Sequence, residues 1–333
     1  MTVEKSEERL SVLEEFRRDF PGVWKSIPYK GVFTSLLVLW VLLFEFLGNS
    51  TFGYINTHSL FGWSCYAYLM SEDDQHGFFI PLIVLVLLWW KRNDFRDLKT
   101  QPWLPALVLV AFALFLHVAG YLAQQTRISI AAFYFGLYAL LGLVWGPAVL
   151  KASFFPMCLF LFALPFGTIA ETITLPLRVF TTQLTCGIAN HILGIDVIRS
   201  GVRILDPSGS FQYEIAAACS GLRSITAVLA LCTIFAFINF KRLRNRLIML
   251  LAAIPLAILG NLTRLLIIII VAEGFGQKAG DWIHDSSLFS LLPYVPPILG
   301  IVVLGHLLRE QSPSDPVEKK TVIEPSAQLS ATS

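Results

Sequence analysis

The chain has 333 residues, of which 55% are hydrophobic and 14% are charged, and its formal net charge is +2. Soluble domains carry about 25% charged residues, so this composition excludes an ordinary globular protein and indicates several membrane spans. The small net charge argues against a nucleic-acid partner. The first 30 residues are charged and have no apolar core. We therefore expect no cleavable signal peptide, and we expect the first span to act as the insertion signal.

Apolar runs long enough to cross a bilayer recur along the chain. We predict an all-α, polytopic transmembrane helical bundle of about eight spans, near residues 32–48, 77–90, 103–122, 128–147, 152–170, 219–239, 247–271 and 288–308. A charged cytoplasmic segment, residues 1–30, precedes this membrane domain, residues 31–308. The polar tail, residues 309–333, is predicted to be disordered and cytoplasmic.

Two segments between the fifth and sixth spans differ from the rest. Residues 171–195 mix apolar and polar side chains at near-helical spacing, which is typical of a helix that lies in the membrane interface or dips in and returns. Residues 196–215 contain the turn sequence "DPSGS", flanked by β-branched and aromatic residues. This pattern predicts a short hairpin on the outer side, just before the sixth span.

Basic residues indicate the orientation. Lys and Arg are frequent in the amino-terminal segment, in "KRNDFRDLK" after the second span and in "KRLRNR" after the sixth. All three lie on one side if the chain crosses eight times, and basic loops favour the cytoplasm. We therefore expect both termini to be cytoplasmic.

The chain has five cysteines, Cys65, Cys158, Cys186, Cys219 and Cys232. No pair has the spacing of a zinc site, so we predict no metal and no cofactor. Cys158 and Cys232 lie in apolar runs and are interpreted as core residues. Cys65 and Cys186 both fall outside the cytoplasm in this topology, and a disulfide between them is a hypothesis.

Three residues with reactive or charged side chains fall near the outer ends of the last spans. Cys219 begins the sixth span, Arg264 lies within the seventh, and His284 lies in the following outer loop. An arginine inside a span costs a few kcal/mol and usually marks a functional site. A cysteine at a span end is more often a packing residue, and a loop histidine is more often solvated. All three residues are expected at a similar depth near the outer surface of the membrane, which favours a common site.

The physical case for a nucleophile rests on what ionises a thiol. A neighbouring cation and a helix amino terminus both stabilise the thiolate of a buried cysteine. Cys219 is predicted to begin a helix, and Arg223 follows at i+4 on the same face. Arg223 could equally neutralise a lipid phosphate. Asn261, one turn before Arg264, and His76, at the end of an outer loop, are supporting candidates.

The sequence around these residues resembles a known family. "ACSGLRS" (218–224), "NLTR" (261–264) and His284 resemble the three signature blocks of the exosortase/archaeosortase family, which are polytopic membrane cysteine enzymes. Residues 73–92 and 193–204 also follow the family pattern, so that the resemblance covers roughly residues 50–300. One departure is the run "HDSSLF", where the family often has a glycine shortly after the histidine.

The resemblance implies a protease or transpeptidase of the bacterial inner membrane, with its site toward the periplasm. Its substrates would be exported proteins with carboxyl-terminal sorting signals of the PEP-CTERM type, and membrane lipids and the exopolysaccharide machinery are candidate partners. Cys219 would form an acyl-thioester. Arg264 would be a proton donor or, because a guanidinium has a pKa above about 12, a stabiliser of the thiolate or oxyanion. His284 would be the acid/base or a transition-state stabiliser.

Two functions from other classes stay open on the sequence alone. A transporter could use a membrane arginine in an anion pathway, although no pair of broken spans occupies corresponding halves of the chain. A lipid-linked sugar transferase could use Asp73 and Asp74 of the first outer loop to hold a metal or act as a base. Loss of function on substitution of Cys219 favours the thiol enzyme.

Overall fold

The computed structural model describes residues 12–48, 55, 57–71, 74–165, 168–214, 222–286 and 289–310. In chain order, helices α1 to α13 are Val12–Ser26, Lys30–Phe46, Leu60–Met70, Ile80–Trp90, Arg92–Arg96, Ala106–Leu122, Thr126–Trp145, Pro147–Cys158, Thr168–Ile188, Leu222–Asn239, Leu243–Phe275, Gln277–Asp285 and Val295–Leu307. Short 3-10 segments, Gln75–Phe78, Leu159–Ala163 and Phe289–Tyr294, adjoin α4, α8 and α13, and a π-helical turn, Ala189–Leu193, ends α9. The predicted tail after residue 310 lies outside the described residues.

The apolar runs of the sequence are helices in the structure, as predicted. The eight expected spans contain α2, α4, α6, α7, α8, α10, α11 and α13. Within the described ranges, α7 and α11 are by themselves long and apolar enough to cross a membrane, and the bent pair α1–α2 would be a third. The helical membrane architecture is therefore confirmed, while the number of eight spans stays a prediction. α1, α3, α5 and α12 were not predicted.

Aromatic packing holds the amino-terminal half together. Trp40 and Phe44 of α2 are buried against Phe133 of α7, and the Trp40 indole Nε1 donates a hydrogen bond of 3.1 Å to the carbonyl of Phe133. The indole ring lies directly over Gly136, where a Cβ atom would come within 1.9 Å of Trp40 Cζ2. A glycine at this position is what allows α2 and α7 to approach so closely.

Small residues at regular spacing pair α10 with α11. The buried residues of their shared cluster recur every four positions, as Val228, Cys232 and Ala236 on α10 and Met249, Ala253 and Ala257 on α11. Such spacing keeps one helical face in contact over several turns. The helices are joined by the short link 240–242 and therefore run antiparallel. This hairpin is the main element of the carboxyl-terminal half.

Glu310 closes the link between these two helices. Its carboxylate accepts hydrogen bonds from the backbone N–H groups of Lys241 and Arg242, at 3.0 and 2.9 Å, and from Asn245 Nδ2 at 3.0 Å. These bonds satisfy donors at the start of α11, where a helix has no partners of its own. The chain after α13 is thereby tied to the α10–α11 link.

Charged residues from three parts of the chain meet at this same end of the bundle. Arg92 pairs with Glu15 and Asp19 of α1 at 2.8 and 2.9 Å. Lys91 and Arg246 lie over the Phe237 ring, 4.5 and 5.9 Å from its centroid. The expectation that the three basic segments share one side is thus met by direct contacts. That this end faces the cytoplasm stays a prediction.

The opposite end carries a small sheet. Strands β1 (Ile198–Ser200), β2 (Arg203–Leu205) and β3 (Gln212–Glu214) are antiparallel in the order β1-β2-β3. The predicted hairpin is therefore corrected to three strands, because the chain after the "DPSGS" turn pairs with β2 as well. Asp206 organises that turn by accepting hydrogen bonds from the hydroxyls of Ser208 and Ser210 and from Ser210 N–H.

The sheet packs on the end of α9 and on α11. Its buried residues share one cluster with both helices, namely Cys186, Ala189, Val197, Ile204, Phe211, Leu265, Ile269 and Ala272. Segment 171–195, expected to lie in the interface or to dip in and return, is mostly the continuous helix α9. The hypothesis of a Cys65–Cys186 disulfide is wrong, since both are free thiols, one exposed on α3 and the other buried in this cluster.

Replacing Gly136 by Ala should lower the thermal unfolding temperature of the protein in detergent. The new methyl group would collide with Trp40, and overpacking of this kind costs about 1–3 kcal/mol. Gly31→Ala on α2 is the matched control, because nothing lies within 4 Å of a Cβ there. We expect that variant to unfold at or slightly above the wild-type temperature. Equal destabilisation of the two variants would contradict the proposed helix contact.

The Asp206 turn should respond to acid. Hydrogen bonds from Ser208 and Ser210 lower the pKa of Asp206 to about 2, from an ordinary value of 3.8. Because the folded pKa is the lower one, the turn's contribution to stability is complete above pH 3.8 and is lost as the pH falls toward 2. The Ser210 amide resonance should titrate with a midpoint near 2, and Asp206→Asn should remove that titration. A midpoint near 3.8 in the wild type would contradict the assignment.

Candidate functional site

Arg264 lies on the longest described helix. α11 runs for 33 residues, so Arg264 is 11 residues before its last residue, Phe275. At 1.5 Å per residue this is about 16 Å below the end of the helix, deeper than the roughly 10 Å expected from the sequence. Its side chain is half-buried, and Asn261, one turn earlier, is buried at 5% exposure. That Asn261 supports Arg264 stays a prediction.

The antiparallel hairpin sets Arg264 beside the start of α10. Pairing the buried positions of the two antiparallel helices in reverse order, we infer that Ala257 of α11 lies near the level of Val228 of α10. Continuing this register for seven residues places Arg264 level with the amino-terminal end of α10, which begins at Leu222. The positive end of the α10 dipole and the guanidinium of Arg264 therefore act on the same region.

Cys219 itself lies outside the described residues. In the chain it follows Glu214, the last residue of β3, by five positions and precedes Leu222 by three. Arg223 is in the first turn of α10, and its side chain also falls outside the described residues. The proposals that Arg223 and the helix terminus stabilise the Cys219 thiolate therefore stay hypotheses. What the structure provides is the anchoring of both ends of the cysteine segment.

Tyr213 joins the sheet to the helix that carries His284. Its hydroxyl donates a hydrogen bond of 3.1 Å to the carbonyl of Gln277. A Cβ atom on Gly280 would come within 2.1 Å of the Tyr213 hydroxyl oxygen, so the ring packs directly on this glycine. Burial, and then the charge of Asp281 and its hydrogen bond, raise the pKa of Tyr213 to about 12, so the phenol is neutral at physiological pH. The contact fixes α12 against β3.

His284 occupies the last turn of α12, one turn after Gly280. Its side chain lies outside the described residues. α12 packs on α11 and follows it directly after Gly276, which has a φ of 84° and permits the sharp turn. The backbone thus returns position 284 to the sheet end of the bundle.

The elements that carry the three predicted site residues converge at one end. β3 leads through residue 219 into α10, α11 carries Arg264, and α12 carries His284. Contacts join α10 to α11, α11 to α12, and β3 to α12. The basic residues lie at the other end of α10 and α11. Sequence reasoning missed Tyr213, although an aromatic residue in a strand six positions before the cysteine was a usable signal.

His76 and Asp74 belong to another group of residues. His76 lies in the 3-10 segment between α3 and α4, whose main contacts are with those helices and with Leu159–Ala163. Asp74 is 2% exposed, so its carboxylate is not open to solvent. Asp73 lies outside the described residues. No cluster of three metal-ligating side chains is found in the described part of the chain.

Comparison with known proteins gives one match. The model of a family described as transmembrane exosortase matches residues 63–292, more than half of the chain. No curated protein and no solved structure matches. The matched range includes β1 to β3, α10, α11 and α12, and with them positions 219, 264 and 284.

Tyr213→Phe should loosen α12 while leaving the bundle folded. Loss of the hydroxyl removes one hydrogen bond, worth about 0.5–1.5 kcal/mol, and the new ring keeps the packing against Gly280. Amide hydrogen exchange of residues 277–285 should accelerate several-fold, with exchange in α10 and α11 unchanged. Tyr121→Phe, at an exposed position on α6, is the matched control. Unchanged exchange in α12 would show that the contact does not hold this helix.

Proposed function

Because the chain belongs to the transmembrane exosortase family, we propose that it is a membrane-embedded cysteine transpeptidase or protease that processes exported proteins. The observation that supports this most is the convergence of β3, α10, α11 and α12, which carry the three signature positions, at the end of the bundle opposite the basic residues. The family match favours neither a transporter nor a sugar transferase, and Asp74, a candidate residue of the transferase, is buried.

In the proposed reaction the Cys219 thiolate attacks a peptide carbonyl of the substrate. The S–C bond forms as the carbonyl π bond moves its electrons to oxygen, giving a tetrahedral oxyanion. The nearby guanidinium of Arg264 stabilises first the thiolate and then this oxyanion, because it stays charged throughout. When the C–N bond breaks, the leaving amine takes a proton, and the acyl group stays on Cys219 as a thioester.

His284 is proposed to supply that proton. An imidazole exchanges protons near neutral pH, whereas a guanidinium holds its proton too tightly to serve as an acid. The thioester is then attacked by an amine, which gives transpeptidation, or by water, which gives hydrolysis. In either case the incoming nucleophile loses a proton, which returns to His284, and the cysteine thiolate is released.

The substrate class is proposed from the family, and the position of the candidate site supports it. A site at the sheet end, about 16 Å into the bundle from the end of α11, suits a protein that halts in the membrane with its cleavage motif at the outer surface. We propose carboxyl-terminal sorting signals of the PEP-CTERM type as substrates and the inner membrane as the location, with eight spans, residues 31–308, forming the catalytic domain. Both termini would be cytoplasmic, and the exopolysaccharide machinery is a candidate partner.

Co-expression with an exported protein that carries such a tail tests this function. Tail removal, read as a gel shift, should be abolished by Cys219→Ser, since loss of a catalytic nucleophile typically costs at least about 10³-fold. His284→Ala should also be strongly impaired. Arg264→Lys keeps the charge and loses the planar fork, so partial activity would show that positive charge is what matters.

The matched controls are Cys65→Ser, which removes an exposed free thiol on α3, and Arg127→Lys on α7. Both should process the tail at the wild-type rate. Tail removal by the Cys219→Ser variant at the wild-type rate would refute the thioester mechanism.

A further inference from the structure

The first helix turns sharply away from the span that follows it. α1 and α2 meet at an angle of 100° across a short link, residues 27–29. α2 has 17 residues, which is within the range of a single span. With α2 across the bilayer, as predicted, α1 runs nearly parallel to the membrane surface.

Contacts with the bundle hold α1 in this direction. Arg92, at the start of α5, pairs with Glu15 and Asp19 at 2.8 and 2.9 Å. The indole Nε1 of Trp145, the last residue of α7, donates a hydrogen bond of 2.7 Å to the carbonyl of Pro28 in the link. α1 is therefore attached to the bundle along one side and at the link to α2, at the level where α4 and α7 end.

A row of exposed aromatic side chains follows α1 at four-residue spacing. Phe16, Phe20 and Trp24 are 40%, 41% and 45% exposed, and the centroids of successive rings are 5.1 and 6.0 Å apart. Trp89 of α4 contacts the first two rings, and the adjacent Trp90 is 50% exposed. Tryptophans at the ends of spans are typical of the membrane interface. The aromatic row of α1 thus extends a belt at this level of the bundle.

The charges of α1 are divided between its two sides. Glu15 and Asp19 face the bundle, where Arg92 neutralises them. By helical spacing, Arg17 lies on the opposite side of α1, next to the aromatic row, and both Arg17 and Lys25 are exposed. Arg18 and Glu14 share the polar face with Lys25. The side of α1 that points away from the bundle is therefore net positive.

α1 also needs an external surface in order to be stable. Pro21 and Gly22 lie inside the helix, and both residue types disfavour a helix interior. A helix of 15 residues is marginal in water even without them. No side chain of residues 14–26 is buried, so the protein covers only part of this helix.

We propose that α1 is an interfacial helix that binds anionic phospholipid. The aromatic row lies at the boundary of the acyl chains, and the guanidinium of Arg17 and the ammonium of Lys25 bind lipid phosphates. An exposed apolar face bordered by basic residues, on a helix parallel to the membrane and level with the tryptophan belt, fits a charged lipid surface. The inference is independent of the proposed reaction, because α1 lies at the end of the bundle opposite the candidate site.

Amide hydrogen exchange of the full-length chain in lipid nanodiscs, one molecule per disc, tests the proposal. Discs of phosphatidylcholine alone are compared with discs that also contain phosphatidylglycerol. Exchange of residues 12–26 should be about 10-fold slower in the anionic discs, because each basic residue at such a surface contributes roughly a factor of five. Exchange in α10 and α11 is the internal reference and should be equal in the two kinds of disc.

Variants separate the two parts of the interaction. The double variant Arg17→Gln with Lys25→Gln should lose most of the difference between the discs. Trp24→Ser should speed the exchange of α1 in both kinds of disc, because it removes apolar contact with lipid. The matched control is Arg199→Gln with Lys278→Gln, which removes two exposed basic residues from β1 and α12 at the sheet end. It should exchange like the wild type.

Equal exchange of α1 in the two kinds of disc would overturn the proposal. A difference that survives in the double variant, or exchange of α1 that Trp24→Ser leaves unchanged, would overturn it as well. Slowing that requires a second molecule in the disc, and not anionic lipid, would assign the aromatic row to another copy of this chain and would likewise refute lipid binding.

Discussion

The close antiparallel packing of α10 on α11 is the contact on which the candidate site depends. Alanine, valine and cysteine at four-residue spacing let the two helices meet along several turns, with Ala253 and Ala257 almost fully buried. Van der Waals contact between small residues is the main attraction available to helices in lipid, where the hydrophobic effect no longer separates inside from outside. A shift of this pair by one turn would move Arg264 by about 5.4 Å from the start of α10.

The two ends of this hairpin have opposite chemical character. At one end Glu310 ties the α10–α11 link, and Lys91, Arg92 and Arg246 stack on aromatic rings or pair with α1. The cationic contacts keep long basic side chains at the edge of the apolar core. At the other end a three-stranded sheet and α12 cover the helices. The basic residues and the sheet therefore lie at opposite ends of the bundle. The elements of the candidate site are at the end with the sheet and α12.

Arginines at depth distinguish this protein from a simple membrane anchor. Arg264 and Arg178 lie on neighbouring helices, each more than ten ångströms from the end of its helix by helical rise. A guanidinium at this depth can stabilise an anion, and developing negative charge is what the proposed acyl transfer would produce. An electrostatic site of this kind lowers the cost of an anion entering from the sheet end.

The amino-acid sequence by itself determined the helical class and the positions of the apolar helices, and it predicted the residues of the candidate site. Composition and hydropathy suffice for the first two because each apolar run is long enough to form a helix and has no other way to bury its backbone in lipid. The predicted site residues came from short motifs, and the family match covers the range 63–292 in which they lie.

Only the tertiary structure decided the register between elements. The third strand, the contact of Tyr213 with α12, the separation of the thiols of Cys65 and Cys186, and the burial of Arg178 each depend on residues far apart in the chain. Periodicity shows which face of a helix is apolar, but not which neighbour covers it. The depth of Arg264 was likewise misjudged because the end of α11 is set by the turn at Gly276, which a continuous apolar run does not reveal.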